Sequence, residues 1–340
     1  MNTNTYEKKE LLDLVIYAFN KPRTKEREAA LSKLLEFSTA YTHREQEQLT
    51  SMVIDNHFEV YWNDAQVKMA GIGYVASYPE YRGNGAIRKI MTQILRDNYE
   101  KGTIFSYLAP FSYEFYEKFG YHYAFDRKIY TIPSIHFPKG KRTSGEIVRQ
   151  SLSETSTDQL WEKLNAIHKK AYNQGSLART KNNWDYYFLH KAHPQLALYR
   201  ENGEDLGYLL YEFSEKTFQI IEFISLSMPA KEALYRFISS HAGQFEEIQW
   251  VAPTDALLEQ DMSEPAYANI QLLPYMQARI VNLSAFLEIN GQPNFAAEIT
   301  DEMIPENNMT IGEGQPEKMT IGAFTARILR ENKAILREYF

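Results

Sequence analysis

The sequence predicts an α+β protein in which mixed β-sheets are flanked by helices. Two observations lead to this fold class. The order helix, strand hairpin, strand, helix, strand occurs twice, once before residue 130 and once between residues 160 and 252. The length of 340 residues also suits two or three domains. The two copies share this order without sharing sequence, so we interpret them as a repeated architecture.

Apolar periodicity predicts each element of the first copy. Apolar residues spaced three and four apart indicate helices, and alternating or short apolar runs indicate strands. Gly120 follows the last short helix in the position of a left-handed cap. Residues 38–56 are polar and show no clear period, so no element is predicted there. The predicted elements are helices at 7–19 and 25–37, strands at 57–62 and 66–76, a helix at 85–99, a strand at 103–108, a short helix at 112–119 and a strand at 121–130.

The rest of the chain follows the same rules. Asn202-Gly203 is a strong hairpin signal between two strands of the second copy. The predicted elements of that copy are a helix at 160–171, strands at 196–200, 207–213 and 218–226, a helix at 230–241 and a strand at 248–252. The C-terminal stretch is predicted to contain a helix at 276–287, strand candidates at 294–299 and 318–321, and a helix at 323–337.

Composition excludes several classes of protein. The chain has no cysteine, which excludes disulfide frameworks, thiolate metal sites and cysteine nucleophiles. Its net charge of −7 argues against an extended nucleic-acid surface and is compatible with a cationic substrate. The apolar runs fall short of the roughly 18 residues of a membrane helix, and no signal peptide is predicted. His190 and His193 have a possible metal spacing but no evident third ligand, so we expect no metal site.

A glycine loop between a strand and a helix is the main functional signal. Residues 71–91 run from a strand through Gly83 and Gly85 directly into a helix, and Arg82, Arg88 and Lys89 add positive charge. Convergent backbone N–H groups at a helix N-terminus form a cradle for phosphate. The third glycine of a dinucleotide loop and the Gly-Lys-Ser/Thr of a Walker loop are both missing. The pyrophosphate of coenzyme A remains as a candidate ligand, and an ordinary glycine turn is the alternative.

This stretch resembles the coenzyme-A loop of the GNAT acetyltransferase superfamily. Arg82 and Gly85 match two fixed positions of its motif, whereas Ile87 departs from the last one. A bulky aliphatic residue at this position, Ile87, followed by Arg88 is similar to the pattern of one branch, the Eis (enhanced intracellular survival) family. Four further segments resemble that family: residues 106–111, 115–121, 274–281 and 319–322.

The resemblance implies tandem GNAT-like domains followed by a small α/β domain similar to sterol carrier protein. We place the acetyl-CoA-binding domain at 1–140, a second GNAT-like domain at 141–272 and the sterol-carrier-like domain at 273–340. The second copy has only Ser227-Met228-Pro229 where a glycine loop would stand, so we expect no cofactor there. The segments 38–56 and 273–340 look shorter than the matching segments of the family. Either loops are trimmed in this protein, or the sequence omits segments.

The resemblance also implies roles for particular residues. Tyr116, before Phe119-Gly120, is expected to be the acid that protonates the leaving thiolate, with simple packing as the alternative. The terminal carboxylate of Phe340 is expected to be the base, directly or through a water, with anchoring of the substrate cation or simple packing as the alternatives. Main-chain groups of the opened strand would pair with the pantetheine amides, and the loop would bind the pyrophosphate. The expected cofactor-binding residues are Val75, Ala76, Ser77, Arg82, Gly83, Asn84, Gly85, Ala86, Ile87 and Arg88.

The expected function is transfer of acetyl from acetyl-CoA, without a metal, to primary amines of a cationic acceptor. The family implies aminoglycoside-like acceptors, with lysine or polyamine amines also open, a cytoplasmic location, and a closed homo-oligomer whose suggested size is a hexamer. The alternative from another class is an inactive GNAT-fold scaffold whose C-terminal domain binds an apolar ligand. Candidate contacts for the acceptor are Phe58, Trp62, Trp184 and Glu338.

Overall fold

The computed structural model describes residues 5–152, 158–172, 174–190 and 194–338. The helices are α1 (Thr5–Ala18), α2 (Lys25–Leu34), α3 (Ala86–Glu100), α4 (Tyr113–Glu117), α5 (Asp158–Lys170), α6 (Lys181–His190), α7 (Met228–Ser239), α8 (Leu283–Asn290) and α9 (Ile321–Glu331). The strands are β1 (Ser38–Glu45), β2 (Gln48–Trp62), β3 (Ala65–Ser77), β4 (Phe105–Leu108), β5 (His122–Pro133), β6 (Glu146–Ser151), β7 (Gln195–Glu201), β8 (Glu204–Phe213), β9 (Thr217–Ser225), β10 (Glu247–Ala252), β11 (Asn269–Ile280), β12 (Ala297–Thr300), β13 (Met309–Ile311) and β14 (Glu317–Thr320).

The chain forms two compact units. The first combines Met1–Phe125, Gln174–Asn182 and Tyr275–Phe340, and the second combines Asp126–Asn173 and Asn183–Pro274. The C-terminal stretch therefore belongs to the same unit as the glycine loop. The predicted domain boundaries at 140/141 and 272/273 stay predictions.

The first unit contains a mixed sheet in the order β1-β2-β3-β4-β11. The pairs β1–β2, β2–β3 and β4–β11 are antiparallel, whereas β3 and β4 are parallel because α3 lies between them in the chain. The apolar side of α3, including Ile90 and Ile94, packs on Val53 and Ile72 of the sheet. A second core joins the sheet to α8 and α9 through Phe286 and Phe324.

The second unit repeats this design. Its strand order is β5-β10-β9-β8-β7-β6, and the only parallel pair among its described strands is β9–β10, which α7 connects. A hairpin, a strand, a helix and a parallel strand thus follow one another in both units. The predicted fold of mixed sheets with flanking helices, repeated in tandem, is confirmed. No helix within the described residues has the length and apolar composition to cross a membrane.

Several predicted elements are wrong in type or extent. The expected helix at 276–287 is instead the buried end of β11 followed by α8, because the alternation of apolar and polar residues at 276–280 was mistaken for one face of a helix. The unassigned residues 38–56 form β1 and the start of β2, whose apolar residues at 49–54 are buried on both faces. The helix predicted to reach 337 ends at Glu331, since Lys333 has a left-handed φ of +50°. Strand β6 and helix α6 were not predicted.

A buried carboxylate lies between β2 and α3. The side chain of Asp55 is inaccessible to solvent, and one of its oxygens accepts a hydrogen bond of 2.7 Å from Asn98 Nδ2. Burial raises the pKa of Asp55 to about 6 from an ordinary 3.8, and the Asn98 hydrogen bond and Lys101 only partly oppose it. The folded state therefore favours the protonated form. Its contribution to stability is complete below about pH 4 and is lost as the pH rises through about 6.

We predict that Asp55→Asn stabilises the protein at pH 8 and has little effect at pH 4. The neutral amide keeps the acceptor for Asn98 and removes the buried charge, so the free energy of unfolding at pH 8 should rise by roughly 1–3 kcal/mol, one pKa unit being about 1.4 kcal/mol. Urea unfolding between pH 4 and pH 8 measures this. Glu100→Gln, an exposed carboxylate at the end of the same helix, is the control and should not change the slope. An Asp55→Asn difference independent of pH would contradict the prediction.

Candidate active site

The sheet of the first unit opens at one end. Pairing between β3 and β4 stops at Ile72 and Leu108, although β3 continues to Ser77. Beyond Ile72 the strand stays bonded to β2, but a bulge shifts the register so that Val53 lies opposite two residues of β3. One of these is Tyr74, whose φ of +50° is a left-handed conformation that costs energy for a residue with a side chain. Within the described part of the chain, main-chain groups at the end of β3 therefore have no neighbouring strand on the β4 side.

A loop of unusual backbone conformation follows this strand. Gly83 and Gly85 have φ values of +83° and +82°, which only glycine adopts without strain. A Cβ atom at either position would meet no atom within 4 Å, so the glycines serve the backbone conformation and leave open space beside the loop. The Asn84 side chain fixes the loop, since Oδ1 accepts from the Ala86 N–H at 3.0 Å and Nδ2 donates to Glu45 at 2.8 Å.

The N-terminus of α3 continues the loop. Gly85 is its N-cap, and the backbone ladder begins with the Lys89 N–H, which donates to the Gly85 carbonyl at 3.1 Å. The N–H groups of Ile87 and Arg88 precede this bond and face the end of the helix, where the positive end of the helix dipole lies. An anion at this place would meet main-chain donors and a favourable field.

The predicted cofactor-binding residues lie in three successive parts of the chain, the end of β3, the glycine loop and the start of α3. Ala86 is buried, and the half-buried Val75 and Ile87 pack on the core that also holds α3. The side chain of Ile87 therefore points into the protein, which explains how a bulky residue can occupy a loop position that usually carries a small one. Arg82 and Arg88 are exposed. Ser77 hydrogen-bonds Ser51 at 2.7 Å.

Tyr116 belongs to the same core. It lies on the short helix α4, whose N-cap Ser112 accepts from the Phe115 N–H at 3.3 Å. Only 2% of Tyr116 is exposed, and its ring contacts Phe111, Phe115 and Tyr121. Burial raises the pKa of Tyr116 well above its usual 10, so its phenol keeps the proton at neutral pH. A neutral buried phenol can donate a proton and cannot act as a base.

Comparisons with known proteins agree with this geometry. Two family models match, each an acetyltransferase (GNAT) domain, one at residues 2–124 and the other at 175–280. A protein of Enterococcus faecalis V583, described as a conserved protein of unknown function and probable N-acyltransferase, is 32% identical, with 99% of this chain and 98% of that chain covered and a TM-score of 0.87. The chain belongs to the GNAT acetyltransferase family.

Two more distant solved structures share the fold over nearly the whole length. A GCN5-related N-acetyltransferase from Anabaena variabilis is 19% identical, covering 99% of this chain and 93% of that chain, with a TM-score of 0.83. Eis1 from Mycobacterium abscessus is 18% identical, covering 99% and 92%, with a TM-score of 0.76. The predicted Eis-like architecture is confirmed at the level of the fold. No curated protein sequence matches.

The second GNAT unit has a different loop at the corresponding place. There Ser227 caps α7 by accepting from the Ala230 N–H at 3.2 Å, and Pro229 occupies the first turn. A side chain and a proline thus take up donor positions that are open in the first unit. That this unit binds no cofactor stays a prediction.

Some candidates from the sequence have other roles or lie outside the described residues. Phe58, Trp62 and Trp184 are core residues, and their contact with an acceptor stays a prediction. Glu338 does not offer a free carboxylate to an ammonium group, because it is buried and accepts from Arg179 Nε at 3.1 Å and Nη2 at 3.0 Å. Phe340, His193 and the side chain of His190 lie outside the described residues. Within the described ranges, no three His, Asp or Glu side chains gather as a metal site.

Sequence reasoning missed polar residues that surround α4. Gln277 and Arg279 on β11 are both fully buried and hydrogen-bond the main chain at the two ends of this helix. Their signal was present in the sequence, since Met276, Ala278 and Ile280 alternate with them as in a strand. The alternation was mistaken for one face of a helix.

Proposed function

We propose that this protein is an N-acetyltransferase that moves acetyl from acetyl-CoA to a primary amine of a cationic acceptor within a ternary complex. The observation that carries the proposal is the segment that runs from the opened end of β3 through the glycine loop into the start of α3. It supplies unpaired main-chain groups followed by a cluster of N–H donors, which suit the amides and the pyrophosphate of coenzyme A in that order.

The loop residues would bind and orient the thioester. Main-chain groups of Val75, Ala76 and Ser77 would pair with the pantetheine amides in place of the missing strand. The N–H groups between Gly83 and Arg88, apart from that of Ala86, which donates to Asn84 Oδ1, would hold the pyrophosphate, with Arg82 and Arg88 adding positive charge. Because the loop is fixed by Asn84, little ordering would be needed when the ligand binds.

Tyr116 would complete the chemistry as general acid. The amine nitrogen attacks the carbonyl carbon, the new C–N bond forms, and the C–S bond breaks after the tetrahedral stage. The Tyr116 hydroxyl gives its proton to the departing sulfur. The proton lost by the attacking amine goes to a base, for which the terminal carboxylate of Phe340 is the proposed group. Its ordinary pKa of about 3.3–3.7 requires burial or a bridging water for that role.

Further parts of the proposal rest on the family resemblance. They are an aminoglycoside-like, lysine or polyamine acceptor, a cytoplasmic location, a homo-oligomer of hexamer size, and a sterol-carrier-like fold for residues 273–340. The net charge of −7 supports a cationic acceptor.

An acetyl-transfer assay tests the function. Purified protein and acetyl-CoA are mixed with aminoglycosides, polyamines and lysine peptides. The release of the coenzyme A thiol is followed, and the masses of the products are determined by mass spectrometry. We expect turnover on primary amines of polycations. Coenzyme A binding without turnover on any amine would contradict the proposal and favour an inactive scaffold.

We predict that Gly85→Glu weakens coenzyme A binding by roughly 10-fold or more, because two like charges about 4 Å apart repel by about 4 kcal/mol at an effective dielectric constant of 20. Titration calorimetry measures the dissociation constant. Gly102→Glu is the matched control, since Gly102 also has a left-handed φ, of +69°, and open space around it, but lies at the other end of α3. Equal losses in the two variants would contradict the loop assignment.

We predict that Tyr116→Phe lowers kcat by roughly 100-fold or more, the usual range for losing a general acid. The dissociation constant of coenzyme A should stay within about twofold of the parent, because the ring and its packing remain. Tyr99→Phe, which removes a phenol oxygen at the far end of α3, is the control and should keep kcat. A Tyr116→Phe protein with parental kcat would exclude this residue as the acid.

A further inference from the structure

Two sequence motifs of the C-terminal stretch, at 274–281 and 319–322, converge on the helix that carries Tyr116. We propose that Arg279, assisted by Gln277, is a positioning residue that fixes the direction of the Tyr116 phenol. The C-terminal stretch would then be part of the catalytic framework of the first GNAT unit. This inference rests on the proposed function, in which Tyr116 is the acid.

Helix α4 cannot hold its own orientation. It has five residues, whereas isolated helices shorter than about 12 residues are marginal in water. Tyr116 lies in its last turn, where the Tyr116 carbonyl accepts from the Phe119 N–H at 2.9 Å. The direction of the phenol therefore depends on whatever fixes the turn from Tyr116 to Gly120.

Two side chains of β11 hold α4 at both ends. Gln277 Nε2 donates to the carbonyl of Tyr113, the first residue of the helix, at 3.2 Å. The Arg279 guanidinium donates to the carbonyl of Phe119, just after the helix. Side chains two residues apart on a strand point to the same side, so Gln277 and Arg279 of one strand can hydrogen-bond both ends of α4. The strand itself is fixed by its pairing with β4.

The guanidinium is also held in place. Arg279 forms a fully buried ion pair with Asp301. The Asp301 carboxylate accepts in addition from the N–H groups of Met303 and Ile304 at 3.0 and 3.1 Å and from Asn307 Nδ2 at 2.8 Å. Arg279 Nε also donates to the Ile280 carbonyl at 3.2 Å, so three acceptors hold the planar guanidinium with one donor directed at the Phe119 carbonyl.

Two glycines allow the close approach. A Cβ atom at Gly120 would lie 2.7 Å from Arg279 Nη1, and one at Gly322 would lie 2.7 Å from the Gly120 carbonyl oxygen. The start of α9 thus rests on the turn that follows Tyr116, beside the guanidinium. This contact gives a physical reason for the glycine in each of two motifs that are far apart in the sequence.

A buried charge is a costly way to fill a core. Apolar residues of similar volume often stabilise a fold equally well or better. The Arg279 guanidinium adds directional bonds that an apolar side chain lacks. It connects the Phe119 carbonyl to the Asp301 carboxylate by hydrogen bonds, which fix the turn after Tyr116 more narrowly than packing alone. We therefore assign Arg279 to geometry at Tyr116 and not only to stability.

A double-mutant cycle tests this assignment. Arg279→Lys keeps the charge for Asp301 but loses the fork, and we expect kcat to fall roughly 10-fold or more, as small misplacements of catalytic groups do. The dissociation constant of coenzyme A and the KM for the amine should change less than about twofold. In a Tyr116→Phe background, Arg279→Lys should lower kcat no further, because the group that it positions is gone.

The controls separate positioning from general damage. Lys128→Met removes another largely buried cation, paired with Glu259 in the second unit, and should lower the melting temperature without changing kcat. If Arg279→Lys does not fold, Gln277→Met takes its place in the cycle, since it removes only the bond to Tyr113. It should give the same pattern with a smaller drop in kcat.

Each pattern of results has one meaning. A loss of kcat in the parent background that disappears in Tyr116→Phe supports the proposal. Equal losses in both backgrounds overturn it and leave the proposed function intact. A Tyr116→Phe protein with parental kcat overturns this proposal and the acid role of Tyr116, whereas the acetyl transfer that remains leaves the proposed function intact.

Discussion

The architecture of the site depends on the parting of β3 and β4 after Ile72 and Leu108. Unpaired main-chain groups are costly when they are buried, so a strand left open toward one side needs a ligand or water there. The bulge at Tyr74 maintains this opening by bending β3 away while β2 continues to hold it. The strain of the left-handed Tyr74 is tolerated because the strand end, α3 and Tyr116 share one hydrophobic core.

The second unit has the same architecture with a different loop. Both units have a parallel strand pair joined by a helix, β3–α3–β4 in one and β9–α7–β10 in the other. They differ in the few residues at the start of the helix, where Gly83 and Gly85 leave donors open and Ser227 caps them. The two units thus place different local chemistry on a shared fold.

The sequence predicted best those features that short-range physics determines. The loop at Gly83 and Gly85, the helix after it and the hairpin at Asn202-Gly203 follow from backbone preferences and local periodicity. Strand β1 was missed because its residues are almost uniformly half-buried, so no alternation marks its pairing with the neighbouring β2. Strand β11 was missed because its alternation was mistaken for one face of a helix, and its partner β4 lies more than 160 residues away in the chain. The pairing of Arg279 with Asp301 and Phe119 is equally non-local. No spacing rule could have connected them.

Two buried ion pairs give the C-terminal stretch its place in the first unit. Arg279 joins Asp301 and the Phe119 carbonyl, and Glu338 joins Arg179 and the Leu177 N–H at 2.9 Å. In both cases a charged side chain hydrogen-bonds a main-chain group of another segment. Such a bond fixes the position of that segment more narrowly than apolar packing alone would. Desolvation makes such pairs poor sources of stability, whereas removing one partner leaves an uncompensated charge. Their common effect is to allow a single arrangement of the stretch, and that arrangement brings β11 to the helix of Tyr116.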